Sequence, residues 1–137
     1  MIKHLKLIIL SVGCFLYSCK TDTVYIPDIY VNFSTPISDM PGIGQAIYVN
    51  NQGVKGVIIY QVDFNEYLAY DRSCSYNPSE ACEIIELNDI LAPIFLVDSC
   101  CGSQFFITDG TPSQGPASIP LKQYQCWADG SYIHVTN

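Results

Sequence analysis

Histidine is nearly absent from this 137-residue sequence, and basic side chains are few. The two histidines, His4 and His134, lie at opposite ends of the chain. No pair of imidazoles is therefore available to one metal, and no cysteine or serine has a matched base near it. Six Lys and Arg stand against 13 Asp and Glu, a net charge of −7. That balance disfavours nucleic acid and anionic membrane surfaces as partners, and it is also an ordinary route to solubility. Phosphate-binding loops and zinc-protease motifs are missing. No stretch keeps an apolar i, i+3, i+4 pattern over three turns, so a long amphipathic helix is excluded after the N-terminal segment. There is no internal repeat and no Cys-x-x-Cys.

The first residues read as a targeting segment. Lys3, His4 and Lys6 give a positive start, Leu7 to Tyr17 form a short apolar core, and Leu16-Tyr17-Ser18-Cys19 resembles a bacterial lipobox. The run is too short for a permanent membrane span, so a cleaved signal at 1–18 with a lipid on Cys19 is expected. Residues 19–28 then form the lipidated cysteine and its tether, and 29–137 a single domain. Removing Lys3 and Lys6 leaves four basic side chains against 13 acidic ones, a net charge of −9. The expected location is the bacterial cell envelope, anchored by lipid to a membrane, with the outer membrane favoured. An unidentified envelope partner or ligand is expected beside that membrane contact, and no nucleic acid.

The domain reads as short strands separated by Gly, Pro and Asn. Ile29, Val31 and Phe33 alternate with Tyr30, Asn32 and Ser34, which predicts a half-buried strand. Ile43 to Asn50 predicts a second strand, and Val57 to Val62 a third that is almost continuously apolar. Tyr67 to Tyr70 forms a hairpin with it through Asp63 to Glu66. Glu83 to Asn88 and Ile94 to Val97 are further candidates, although Glu83, Glu86 and Asp89 also suit a helical turn. Phe105 to Ile107 restarts a strand, Asp109-Gly110 signals a turn, and Leu121 to Trp127 pairs with Ser131 to Val135. The fold class expected is all-β, an antiparallel sandwich or partly open barrel.

Four cysteines cluster in mid-chain, and three readings of them stay open. Cys74, Cys82, Cys100 and Cys101 can form two disulfides, which exporting conditions favour. They can instead supply a four-thiolate metal site, or a redox-active thiol pair. Cys126 alternates with Tyr124 and reads as a small core residue, and His134 as a surface or satisfied histidine.

The residues from Arg72 to Pro116 carry a resemblance. Cys74-Ser-Tyr76, then Asp98-Ser-Cys100-Cys101-Gly-Ser-Gln-Phe105, then Asp109-Gly110 and Gly115-Pro116-Ala117 resemble the Rieske iron–sulfur domain family. That family carries Cys-x-His in one loop and Cys-x-Cys-His-Gly-Ser-x-Phe/Tyr in a second. The resemblance implies a basal β-fold with a small inserted cluster-binding subdomain, spanning about Ile43 to Val135. It sets Cys74 at a cysteine ligand position, Tyr76 and Cys101 at the two histidine positions, and Asp98 at the other cysteine position. Only Cys74 keeps the family's residue type. A Rieske centre uses two imidazoles on one iron, which this chain cannot supply.

The resemblance also implies a loop-bridging disulfide between Cys82 and Cys100. With no cluster between them, Cys74 and Cys101 are expected to close a second bond as the loops collapse inward. Ser103 is expected to make a turn hydrogen bond in place of supporting a cluster. The function expected is a non-catalytic binding or structural module without a cofactor or a metal. The alternatives are an electron carrier with an unusual cysteine-ligated 2Fe–2S cluster, and a thiol–disulfide redox protein.

Overall fold

The third strand explains the architecture. Val57, Ile58, Ile59 and Tyr60 are all buried, which requires apolar neighbours on both faces of the strand. Ile58 and Tyr60 point into one core cluster, and Val57 and Ile59 into another. Each such aliphatic side chain contributes about 1.5–3 kcal/mol by leaving water. The computed structural model describes residues 26–137. The expected signal segment at 1–18, Cys19 and the expected tether up to residue 25 lie outside the described residues.

In chain order the strands are β1 (Asn32–Pro36), β2 (Ala46–Val49), β3 (Val57–Asp63), β4 (Glu66–Asp71), β5 (Ile85–Leu87), β6 (Phe95–Asp98), β7 (Gln104–Phe106), β8 (Pro112–Gln114), β9 (Gln123–Ala128) and β10 (Tyr132–Thr136). One 3-10 turn, Ile37–Asp39, follows β1. A six-stranded sheet runs β1-β10-β9-β4-β3-β2 and curls into a half-barrel, and a four-stranded sheet runs β5-β6-β7-β8. Every pairing is antiparallel. β4 and β9 are neighbours in the larger sheet, so the whole smaller sheet is an insertion between them. The expected all-β class and inserted subdomain are both present. Among the described residues no helix is long and apolar enough to cross a membrane.

The half-barrel closes over Val31, Val57, Ile59, Tyr67, Ile133 and Val135. A second core, including Ile58, Tyr70, Ile85, Leu96 and Phe105, lies between the half-barrel and the inserted sheet. The β3–β4 hairpin turns at Phe64-Asn65, where Asn65 takes a φ of 59° that Asn tolerates better than most residues.

Two expectations are corrected here, and one strand carries no signal in the sequence. The first strand begins at Asn32, and Ile29 is exposed instead of facing the core. Glu83 lies before β5 in irregular chain and the helical alternative does not form; Asp89 instead accepts from the Leu91 and Ala92 amides in the β5–β6 turn. β8 was not anticipated because it is short and polar. It pairs on one side alone, at the sheet edge, where Pro112 needs no donor.

Candidate metal-ligating pocket

Two loops of the inserted unit meet at one buried point. The first runs from the end of β4 to the start of β5 and carries Cys74 and Glu83. The second joins β6 to β7 and carries Cys101, with Asp98 as the last residue of β6. One donor atom from each of Cys74, Glu83, Asp98 and Cys101 lies within 4.8 Å of every other. Cys74 is fully buried, Asp98 is 1% exposed and Glu83 4% exposed; Cys101 is half-buried.

The backbone holds this constellation from several sides. The Cys74 amide donates to the Glu83 carbonyl, and an isolated bridge pairs Ser73 with Ile84. Lys55 reaches across to donate to the Glu80 and Glu83 carbonyls, and Arg72 donates to the Ile85 carbonyl at 2.9 Å. The Tyr48 hydroxyl accepts from the Leu87 amide at 2.8 Å, and the Arg72 guanidinium lies over the Tyr48 ring. In the second loop the Asp98 Oδ1 accepts from the Cys100 amide at 2.8 Å and, more weakly, from the Cys101 amide at 3.4 Å. Gly102, at a φ of 79°, donates its amide to the Asp98 carbonyl and closes the turn.

A disulfide joins the loops at Cys82 and Cys100, with α-carbons 5.7 Å apart. Each half-cystine directly precedes a donor, Glu83 in one loop and Cys101 in the other. The expected second disulfide is absent: Cys74 and Cys101 are free thiols whose sulfurs lie 3.8 Å apart. The loops stop short of collapse because the Glu83 and Asp98 carboxyls share the pocket and the Cys101 thiol donates to the Ser103 hydroxyl at 3.1 Å. Ser103 also accepts from the Ala117 amide at 3.0 Å, which ties the second loop to the Gly115-Pro116-Ala117 turn.

Two oxygens in this pocket have no partner. Glu83 Oε2 and Asp98 Oδ2 are both buried and neither is hydrogen-bonded. An unsatisfied buried carboxylate oxygen is costly and needs an explanation. Burial pushes the Glu83 carboxyl above the usual carboxylate range, and Asp98 pushes it further, against hydrogen bonds with Cys101 and Cys74. Burial likewise raises the Cys74 thiol well above its ordinary range; a hydrogen bond with the Tyr76 backbone opposes this, and Asp98 and Cys101 add to it.

Three of the four positions singled out in sequence therefore converge: Cys74, Asp98 and Cys101. Tyr76 is the exception, since its side chain is half exposed and only its backbone reaches the Cys74 sulfur. Glu83 was missed as a donor. Its position directly after a bridging cysteine is the signal that could have found it. His134 is on β10, stacked on Trp127 and bonded to Asp129 at 2.8 Å. Cys126, on β9, is a half-buried free thiol packed against the half-barrel core, and burial pushes its pKa up to about 12.

The chain matches a chain of a solved assembly described as a complex of reduced oxygenase and oxidized ferredoxin in carbazole 1,9a-dioxygenase. The TM-score is 0.56 at 20% sequence identity, over 77% of this chain and 93% of the other. The fold is Rieske-like. No protein-family model matches the sequence, and neither does any curated protein.

The group this fold implies is a 2Fe–2S cluster, and the Rieske-like pocket does not fit it. No imidazole is among the converging donors. Ligands on two different irons must also be separated by two metal–ligand bonds of roughly 2 Å each plus the cluster core. A spread of 4.8 Å leaves almost no room for that core.

Proposed function

We propose that this protein is an exported, lipid-anchored module of the cell envelope whose Rieske-like domain no longer carries a 2Fe–2S cluster and acts in binding or structure, without catalysis. The observation that carries this reading is the donor set of the two-loop pocket. Two thiols and two carboxylates within 4.8 Å stand where the family holds a two-iron centre with two imidazoles. The lipid on Cys19 and the signal at 1–18 rest on the lipobox-like Leu16-Tyr17-Ser18-Cys19, and the outer membrane is the favoured site of anchoring. The exposed apolar run Ile90, Leu91 and Ile94 in the β5–β6 connection supports a binding role, since such side chains commonly mark contact surfaces when they group together.

The test is purification under anaerobic conditions followed by visible spectroscopy and iron and sulfide analysis. A colourless protein with iron far below one atom per chain is expected. A visible absorption band with a reduced-state EPR signal overturns the reading and promotes the electron carrier. Metabolic labelling with a fatty-acid analogue tests the anchor: label on the wild type and none on Cys19→Ala is expected, and an unlabelled wild type sinks it.

The thiol–disulfide reading draws on the 3.8 Å approach of Cys74 and Cys101. It is the weaker one, because burial pushes the Cys74 thiol well above its ordinary range, which disfavours the thiolate that attack requires.

A further inference from the structure

The pocket combines three things that a merely structural cluster of side chains does not. Two thiols face each other unbonded, two carboxylates more than nine-tenths buried accompany them, and one oxygen of each carboxylate is without a hydrogen-bond partner. We infer that Cys74, Glu83, Asp98 and Cys101 form a binding site for one divalent thiophilic cation, and that Zn2+ is the ion this donor set suits. The inference takes the absence of a 2Fe–2S cluster from the reading above and adds what the same residues hold instead.

Geometry supports a single ion. Zinc–sulfur bonds are about 2.3 Å, and two of them at a tetrahedral angle set the sulfurs about 3.8 Å apart. The Cys74 and Cys101 sulfurs are 3.8 Å apart. The 4.8 Å limit on the whole set is wider than a closed tetrahedral zinc site, so the donors must draw inward on binding. Four protein donors close a tetrahedral site, which is the structural form of zinc binding and leaves no open position for chemistry.

Donor chemistry narrows the ion. Ca2+ and Mg2+ need six or more oxygens or several waters, which two carboxylates in a sulfur-bearing pocket do not provide. Cu(I) favours soft sulfur alone, whereas two of these donors are hard oxygens. Zinc accepts thiolate and carboxylate together. On binding, the two thiols, and the Glu83 carboxyl where it is protonated, lose their protons to solvent and the sulfurs and carboxylates become the zinc ligands; no electrons move.

The surroundings are arranged as outer support for such a site. Ser103 accepts from the Ala117 amide and therefore keeps its own hydrogen, which can turn to the Cys101 sulfur once that sulfur is a thiolate. The Tyr76 backbone already reaches the Cys74 sulfur. The Asp98 Oδ1 is fixed by two amides, so Oδ2 is left for the ion. Lys55 pins the carbonyl of Glu83 at 2.9 Å and places a positive charge beside an anionic site. The disulfide sets the spacing between Glu83 and Cys101.

The test uses the full exported chain purified without chelator, with zinc and iron measured together and uptake of added Zn2+ titrated. One Zn2+ per chain, carried through dialysis or taken up stoichiometrically, is expected. Glu83→Gln and Cys74→Ser should each weaken zinc binding by at least the about 10- to 100-fold that loss of even an outer partner costs. Cys126→Ser should leave it unchanged. Should a pocket variant fail to fold, Co2+ added to the wild type decides: sulfur-to-cobalt charge-transfer absorption with intense tetrahedral bands is expected. No zinc uptake and no such Co2+ spectrum overturns the site while leaving the cluster-free reading intact. Iron with equimolar sulfide overturns both. A Cys74–Cys101 disulfide in the exported protein, or binding undiminished in both pocket variants, also overturns the site.

Discussion

Asp71 and Asp98 are equally buried, and their surroundings are opposite. Asp71 closes β4 and is saturated: Oδ1 accepts from the Ser73 amide at 2.8 Å, and Oδ2 from the Val54 amide at 2.6 Å and the Tyr124 hydroxyl at 2.7 Å. Asp98 closes β6 and has one oxygen held and one without a partner. Burial and the Asp71 carboxylate together keep the Tyr124 phenol protonated, well above its usual range. The first aspartate is a structural crosslink between the half-barrel strands and the loop at Gly53. The second is half of something unfinished. Equal burial with unequal satisfaction separates a residue that crosslinks the fold from one with an oxygen left to offer a ligand.

Breaking the loops apart should have the largest effect. Replacing Cys82 and Cys100 together by Ala removes an 18-residue crosslink, and a loss of about 3–5 kcal/mol in denaturant unfolding is expected. The same variant should lose zinc uptake, because Glu83 and Cys101 are no longer held at a fixed spacing. Asp71→Ala should cost about 2–3 kcal/mol, since it leaves the Tyr124 hydroxyl and the Val54 and Ser73 amides without their acceptor. Gly53 adds to the tightness there: a Cβ at this position would lie 2.4 Å from Asp71 Oδ2, at a φ of 66°. Gly53→Ala should therefore destabilise the same crosslink.

Glu83→Gln sharpens the contrast at smaller amplitude. In metal-free protein it replaces a buried carboxyl, whose Oε2 has no hydrogen-bond partner, by a neutral amide of the same shape, so the melting temperature should hold or rise slightly. With Zn2+ present the order should reverse, because the wild type gains stability from the ion and the variant does not. A Glu83→Gln variant clearly less stable than the wild type in chelator would mean that the carboxylate is satisfied after all.

The smallest effect concerns a site outside both regions. Hydrogen bonding with His134, then with the Tyr132 and Ser131 amides, lowers Asp129 to about 2 from an ordinary 3.8. A depressed carboxyl stabilises the fold above its unfolded value and loses that contribution as pH falls from about 3.8 towards 2. The pair is exposed, so the stability change is small, and NMR titration is the better readout. The Asp129 midpoint should sit near 2 and rise towards the ordinary value in His134→Ala.

The strands were largely legible because their signals are local. Val57 to Val62 is apolar on both faces and could only be a central strand, and Asp63 to Glu66 marks its hairpin. Edges were harder. Ile29 looked like a core residue by alternation, yet the ladder begins at Asn32 and leaves it exposed, and β8 has too little apolar content to show a period. The pocket was legible as far as the two-loop resemblance reached, which gave Cys74, Asp98, Cys101 and the Cys82–Cys100 bond. Glu83 escaped because its approach depends on Lys55 and Arg72 holding the Glu80 to Ile85 backbone, a contact between residues far apart in sequence. The thiol separation escaped for a similar reason: chain order says that two cysteines face each other and does not say what stands between them.

The central claim is that this Rieske-like pocket is built around one ion in place of a two-iron cluster. Native mass spectrometry of the purified chain after exposure to Zn2+ tests it most directly. The account predicts the mass of the chain with its Cys82–Cys100 bond plus a single zinc, with Cys74 and Cys101 recovered as free thiols once the metal is stripped. A mass that carries two irons and two sulfides, or a bare chain after zinc exposure, would contradict it.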